Sequence, residues 1–442
     1  MELRTFKGGI HPPHGKSFTE KKPVEKANEP KVVMIPLQQH IGAPCQPIVQ
    51  VGDKVKVGQK IGDTEAFVSA PVHSSVSGEV KEISQKLTPT GEVLCIVIEA
   101  DGKNDVDESV QPKPDVETLS KEEILKVIRE AGITGMGGAA FPTHVKLSPP
   151  PDKKIDTVIL NGAECEPYLT ADHRLMLENP DRVVYGLKAI MKALNVTEGH
   201  IGIEANKPDA ISAMEEAVKE EKGMRVVPLK VKYPQGAEKQ LIYACTKREV
   251  PSGKLPMEVN VVVSNIGTAA AIGEAFKTGM PLIERIASIT GSGIKEPKNL
   301  KIKVGTSFKD IIEQCGGYNG KIGKLIMGGP MMGLAQFTDE IPCIKGTSGI
   351  LVFTEEDARL PKPQNCIRCG KCVETCPMGL MPLYISAYAS NNMLDKAEEV
   401  NALDCIECGS CSFVCPSKRP LLETIRVGKS EINARKRKQQ QK

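Results

Sequence analysis

Tryptophan is absent from this chain, and its 442 residues include only seven tyrosines and nine phenylalanines. Aromatic platforms for stacking nucleic-acid bases are therefore scarce. Neither sign of charge dominates, because 58 lysines and arginines stand against 55 acidic residues, a net charge of +3. No nucleic-acid partner is expected from that balance. Long apolar runs are missing as well. The best candidate, residues 259–276, is broken by Asn260, Ser264, Asn265 and Glu274, so no transmembrane helix is expected. The first residues, MELRTFKGG, hold no apolar signal core, which points to the cytosol. The length exceeds one ordinary domain, and three or four are expected.

What the chain does have is cysteine in a repeated pattern: Cys366-x2-Cys369-x2-Cys372-x3-Cys376-Pro377, then Cys405-x2-Cys408-x2-Cys411-x3-Cys415-Pro416. This is the two-cluster ferredoxin spacing. Thiolates two residues apart reach neighbouring irons of one cubane, and the set-back fourth cysteine ligates the other cluster. One [4Fe–4S] centre is then held by Cys366, Cys369, Cys372 and Cys415, the other by Cys405, Cys408, Cys411 and Cys376. A pair of zinc sites or a disulfide scaffold is the competing reading. Zinc takes four ligands and gives no reason for a third cysteine two residues on, followed by Cys-Pro. The other six cysteines are scattered and read as buried thiols.

The segments around these motifs differ in pattern. Residues 1–30 are polar and Pro-rich and read as an arm, with His11 and His14 as part of it rather than as metal ligands. Residues 31–100 alternate short β stretches with tight turns. There VGDKVKVGQKIG followed by SAPVHSSVSGEV resembles the biotinyl/lipoyl barrel-sandwich. The turn where carrier members present a lysine reads Pro71-Val72-His73-Ser74-Ser75, so an unmodified, structural domain is expected. Residues 101–118 are acidic, carry two prolines and read as a linker. Ser120 and Glu123 form a capping box that opens a helix with Ile124, Leu125, Ile128 and Ala131 on one face, ended by Gly132. Residues 119–280 alternate strands (157–160, 201–203, 259–263) with helices (183–194, 210–221), the pattern of a helix-covered parallel sheet. Residues 281–356 look like a small β-rich unit, 357–425 carry the cysteines, and 426–442 form a basic tail. That tail, with Arg435, Lys436, Arg437, Lys438 and Lys442, reads as solvated and disordered, or as a contact for an anionic surface.

A second motif is Gly135-Met136-Gly137-Gly138-Ala139-Ala140-Phe141-Pro142, with Lys146 after it. Dense glycine lets backbone N–H groups line an anion, and the lysine adds a point charge. The loop follows a helix, so it is not a Rossmann fingerprint. Three strand ends add amides, hydroxyls and carboxylates: Asn161 to Pro167, Glu204 to Lys207, and Ser264 to Thr268. Ligands bind at the carboxyl ends of such strands, so a pocket for a polar planar cofactor is expected. His144 and His173 read as packing or surface residues.

The glycine loop, the N-x-x-E-x-E-P segment from Asn161 to Pro167, the turn Tyr233-Pro234-Gln235-Gly236-Ala237-Glu238 and the Ser264-Asn265 strand end together resemble the NADH-oxidising flavin subunit of respiratory complex I. With TFKGGIHPPHGKSFTEKKPV before them, a barrel-sandwich, a β-grasp unit of the soluble-ligand-binding (SLBB) type at 281–356 and two clusters at the end, nearly the whole chain resembles the RnfC family of Rnf electron-transport complexes. That resemblance implies FMN, NAD(H) as substrate, and two [4Fe–4S] clusters. Gly135, Gly137, Gly138 and Lys146 would hold the FMN phosphate side. Asn161, Glu164, Ser264 and Asn265 would contact the flavin or its ribityl chain. Phe141, Glu166, Tyr233 and Glu238 would lie near the nicotinamide nucleotide, with Glu166 the catalytic candidate. The chain departs from the complex I pattern at Ala163, Cys165 and Ala237, where two carboxylates are lost. The family further implies a peripheral subunit on the cytoplasmic side of the membrane. It would dock on integral-membrane and other redox subunits and meet ferredoxin only through another subunit. A flavin/iron–sulfur cobalamin reductase and a non-catalytic electron conduit are the alternative functions.

Overall fold

The computed structural model describes residues 3–440. The arm is fastened along its length. Arg4 bridges Leu229, and Ile10 bridges Tyr233. Val24–Lys26 forms an edge strand parallel to Lys298–Lys303. The barrel-sandwich pairs Val32–Pro36, Gly91–Ala100, Gly78–Thr88 and Lys54–Val55 in one sheet, and Gln46–Pro47, Lys60–Asp63 and Val72–His73 in another. Val33, Ile35, Ile61, Val72, Ile96 and Ile98 fill it. The turn that a carrier would expose is packed away: Val72, His73, Ser74 and Ser75 are buried, and Ser75 Oγ donates to Val304 O at 2.6 Å. Lys345 Nζ donates to Pro71 O and Gly132 O, 2.7 Å each, and so joins three units of the chain. The acidic segment that follows is pinned rather than loose, with Asp107 N on Val57 O (2.9 Å) and Lys113 N on Phe276 O (2.8 Å).

The middle of the chain is a four-stranded parallel sheet of β1 (Thr157–Gly162), β2 (Glu198–Glu204), β3 (Met224–Leu229) and β4 (Val261–Asn265), in the order β3-β2-β1-β4. The helices are α1 (Lys121–Glu130), α2 (Ala171–Glu178), α3 (Pro180–Leu194), α4 (Pro208–Ala217), α5 (Glu238–Thr246) and α6 (Ile266–Thr278). Val158, Leu160, Ile201 and Val262 share one core with α1, α3 and α6. Ile159, Val227, Leu229 and Val263 share the other with α5. Burial on both faces explains why the strands are apolar without alternation. Gly186 makes the α3–α6 contact possible, since a Cβ there would sit 1.8 Å from Ala269 O. The capping box at Ser120 and Glu123 is formed on both sides. Proline at the first helical position starts α3 and α4 two or three residues earlier than periodicity suggests. β3 was not expected because Pro228 argues against a strand. It is tolerated at a sheet edge, and there Pro228 O accepts from Arg4 N at 3.3 Å.

The β-grasp unit is a six-stranded mixed sheet whose order is Val24–Lys26, Lys298–Lys303, Glu284–Thr290, Gly349–Thr354, Ile322–Met327, Leu334–Gln336. The helix Phe308–Gln314 buries Phe308, Ile311 and Ile312 against it. The cysteine-rich unit is helical and ends in Leu421–Gln440. The expected disordered tail is thus helical as far as Gln440, and residues 441 and 442 lie outside the described residues. The reason is tertiary. Ile425 and Ile432 are buried against Ile385 and Ala397, while Arg435 pairs with Asp395 and Lys436 with Glu398. Among the described residues no helix is long and apolar enough to cross a membrane.

Candidate functional site

Strand order reverses between β1 and β4, so a crevice opens beyond their carboxyl ends. The glycine loop covers it. Gly135 N donates to Phe141 O at 2.9 Å, and Met136 N donates to Thr268 Oγ1 at 3.0 Å, which ties the loop to the first turn of α6. Gly137 lies on Asn265, where an added Cβ would come within 3.0 Å of Nδ2, while Gly138 meets nothing within 4 Å. Ala140 adopts φ 52°, a left-handed conformation that a non-glycine residue holds only under constraint. Exposed backbone at Gly137, Gly138 and Ala139 beside the N-terminus of a 13-residue helix suits a phosphate. These residues fit the phosphate end of an FMN.

The strand-end side chains are already engaged with one another. Asn265 Oδ1 accepts from Gly267 N at 2.7 Å, and its Nδ2 donates to Asp172 Oδ2 at 2.7 Å. Ser264 is buried beside it. Glu164 accepts from the backbone N–H of Asp172 (2.9 Å) and His173 (3.3 Å), at the start of α2. Burial, and then the Glu164 charge, push the Asp172 carboxyl up to about 6. Asn161 Nδ2 donates to Gly236 O at 2.8 Å. Asp172 carries no signal in the sequence, since a first-turn aspartate usually serves its own helix. Lys16 carries none either. It is buried, and its Nζ donates to the carbonyls of Glu164 (2.9 Å), Glu166 (2.9 Å) and Leu169 (2.5 Å). Burial, and then Lys207, lower it to about 8.

The remaining candidates fall into two further groups. Lys146 Nζ pairs with Glu238 Oε1 at 2.8 Å, both half-exposed, so the side chain expected on the phosphate and the one expected on the nucleotide contact each other. Phe141 is partly exposed at the end of the glycine loop. Glu166 and Tyr233 instead face the cysteine-rich unit. Glu166 Oε2 accepts from Met331 N at 3.1 Å, its Oε1 is enclosed with no partner among the described residues, and burial pushes its carboxyl up to about 7. Buried Tyr233 donates its hydroxyl to Cys408 O at 2.8 Å. Ile10, Tyr233 and Cys408 form one apolar cluster, with Cys165, Met331 and Ile406 against it. His173 and His144 serve packing, on Asp209 Oδ1 (2.9 Å) and Phe67 O (3.2 Å) respectively.

The two cysteine runs fold alike. Arg368 N lies 3.4 Å from Cys366 Sγ, and Glu407 N lies 3.4 Å from Cys405 Sγ. Arg368, Gly370, Glu407 and Gly409 all take positive φ. Such backbone wraps N–H groups around sulfur. Cys376, Cys405, Cys408 and Cys411 line one cavity walled by Pro377, Leu380, Ile385 and Leu422, which is the crossed grouping the spacing predicts. Gln364 N on Ser417 O (2.8 Å) lays the start of the first run beside the end of the second. Burial pushes Cys405 up to about 11 and Cys411 to about 12, so a bound metal must supply the charge that keeps them as thiolates. Among the described residues no three His, Cys, Asp or Glu side chains converge closely enough for a single metal ion. The four thiols surround a space instead, which fits a cubane. Cys366 and Cys369 are exposed, whereas Cys408 and Cys411 are buried.

Family models match along the chain: the RnfC barrel sandwich hybrid domain at residues 4–103, the Nuo51 FMN-binding domain at 128–274, the SLBB domain at 286–335 and a 4Fe-4S dicluster domain at 359–416. The RnfC protein of the Na(+)-translocating ferredoxin:NAD(+) oxidoreductase complex of Acetobacterium woodii is 53% identical over 435 residues, 98% of each chain. The chain belongs to the RnfC family. The counterpart from the proton-translocating ferredoxin:NAD(+) oxidoreductase complex of Clostridium ljungdahlii is 54% identical over 434 residues, 98% of this chain and 95% of that one. A more distant member, from the ion-translocating oxidoreductase complex of Rhodobacter capsulatus, is 39% identical over 447 residues, 100% of this chain and 86% of that one. The air-oxidized NAD+-reducing [NiFe]-hydrogenase shares the fold, with TM-score 0.53, 16% identity, 73% of this chain and 67% of that one. This RnfC-family chain thus carries an FMN-binding domain and a domain for two [4Fe–4S] clusters.

Proposed function

We propose that this chain is the NAD(H)-linked subunit of a membrane-bound, ion-translocating ferredoxin:NAD oxidoreductase, peripheral on the cytoplasmic side and docked on integral-membrane subunits. The names of its relatives support this reading. FMN, when bound, exchanges a hydride with NAD(H) and single electrons with iron–sulfur clusters. The glycine loop and the α6 N-terminus would hold its phosphate. Asn161, Glu164, Ser264 and Asn265 would frame the crevice, and the Lys146–Glu238 pair stands at its open side. Glu166 acts from behind the crevice, on the side of the clusters.

The observation that carries the reading is the junction of Tyr233 with Cys408. It joins a loop of the parallel-sheet domain directly to the buried thiol group. The Cys376–Cys405–Cys408–Cys411 centre is therefore proximal to the flavin domain, and the exposed Cys366–Cys369–Cys372–Cys415 centre faces outward to the partner. Ile367 beside it is 67% exposed, as a docking surface requires.

The test is anaerobic stopped-flow and EPR on the reconstituted chain. NADH should bleach the flavin and then reduce both clusters. Cys408→Ala should keep bleaching and lose reduction of the exposed centre. Cys369→Ala should keep the buried centre reducible. Tyr233→Phe should keep both cofactors loaded while slowing cluster reduction several-fold. Flavin that binds and ignores NADH would sink the assignment.

A further inference from the structure

The flavin crevice lies at the carboxyl ends of the four parallel strands. Their amino ends carry a second, open cleft of about 750 Å³, for which the proposed electron transfer has no use. Arg4 of the arm, Arg225 of β3, and Lys247 and Arg248 at the end of α5 face it, together with His200 and Glu198 of β2. Four cations thus meet one carboxylate. Arg248 is committed, through Nη1, to Asp156 Oδ1 (2.7 Å) and Val259 O (3.0 Å). The other three have no anionic partner among the described residues. Arg4 Nη1 rests on Cys245 O (2.5 Å), Arg225 Nη2 on His200 Nε2 (2.8 Å), and Lys247 Nζ lies 5.0 Å from the centre of the Tyr243 ring.

His200 and Arg225 are register partners on adjacent strands. Arginine only donates, so His200 Nε2 must accept and its proton sits on Nδ1. That donor is enclosed and unpaired among the described residues. Burial, and then Arg225, lower the imidazole to about 4, so His200 adds no charge and serves to aim the guanidinium. The C-terminal end of α5 contributes a partial negative charge, which three cations without anionic partners outweigh. Held around one concavity, these cations repel each other until an anion arrives. Guanidinium forks match phosphate oxygens two at a time, and the volume lies in the range of small-molecule sites rather than of a flat protein interface.

We propose that this cleft is a binding site for a small oligophosphate of up to nucleotide size, at the sheet edge opposite the flavin. Its recognition rests on Arg4, Arg225 and Lys247. The site is independent of the proposed electron transfer.

The test is titration calorimetry on the full chain, loaded with FMN and clusters, at fixed ionic strength, with inorganic tripolyphosphate as the probe. One saturable equivalent should bind without release of flavin. Arg225→Gln with Lys247→Gln should weaken it by about tenfold or more, with flavin and cluster content and NADH oxidation unchanged. If that double variant does not fold, Lys247→Glu at its exposed position gives the same reading alone. Lys146→Gln should still bind the probe. ATP binding more tightly than tripolyphosphate identifies a nucleotide as the source, and equal affinity identifies the phosphate chain itself. Absence of saturable binding, binding that survives the double variant, or binding that is lost in Lys146→Gln would overturn the site.

Discussion

Glu166 and Gly137 each decide something that their residue type alone does not reveal. Glu166 is enclosed with one oxygen unpaired, and its carboxyl is raised from an ordinary 4.5 to about 7 by burial. A raised carboxyl pKa means that the folded state holds the proton longer than the unfolded chain does. Stability is therefore lost as pH rises from about 4.5 to about 7. Glu166→Gln keeps the acceptor for Met331 N and removes the titration. The variant should gain up to about 3 kcal/mol over the parent at pH 8 and little at pH 4.5, read as the pH dependence of the thermal midpoint. A constant difference across pH would place the ionisation elsewhere. Gly137 sits where a Cβ reaches 3.0 Å from Asn265 Nδ2. Asn265 cannot yield, because Asp172 and Gly267 hold it from both sides. Gly137→Val should therefore abolish FMN retention while iron and sulfide content stay at parent levels, measured on the same preparation by absorbance and metal analysis.

At the scale of elements, the arm is the least conventional part. It has little secondary structure of its own, yet it adds a strand to the β-grasp sheet, edges β3 and inserts Lys16 under the loop after β1. Gly9 N also donates to Thr375 O at 2.8 Å, beside the cysteine run. Lys16→Met keeps the stem and removes the donor from three buried carbonyls. The expected cost is about 3 kcal/mol, seen as a lower thermal midpoint and weaker FMN retention, with the far-UV spectrum unchanged. Full FMN affinity in that variant would mean that the loop stands without the arm. The capping box of α1 was legible because both of its partners lie within four residues. β3 and the C-terminal helix were not, since an edge position excused Pro228 and packing on Ile385 and Ala397 ordered a basic segment.

The whole molecule is held together by contacts that cross its units: Lys345 between the barrel-sandwich and α1, Ser75 on Val304, and Tyr233 on Cys408. The cysteine-rich unit has a small apolar core around Ile385, Ala397, Ile425 and Ile432, and so depends on its metal for stability. Chelation of iron under reducing conditions should therefore unfold residues beyond the exposed Pro361–Pro363 stretch first. Limited proteolysis should then release that unit and leave a fragment that retains FMN. Simultaneous loss of flavin and clusters would show that the Tyr233 junction makes the two domains one cooperative unit.

The sequence by itself determined the cluster ligands, the glycine loop, the order of the units and the family, because each is written in residues close together along the chain. Cubane ligation needs fixed cysteine spacing, and close backbone approach needs glycine. Only the tertiary structure decided which thiol group is buried against the flavin-binding domain, that Glu166 and Tyr233 belong to that junction, and that Lys146 meets Glu238. It also brought Arg4, Arg225 and Lys247 to one cleft. Those relations join residues tens to hundreds of positions apart. They depend on how parallel strands order themselves and which loops then meet, and no local pattern encodes that.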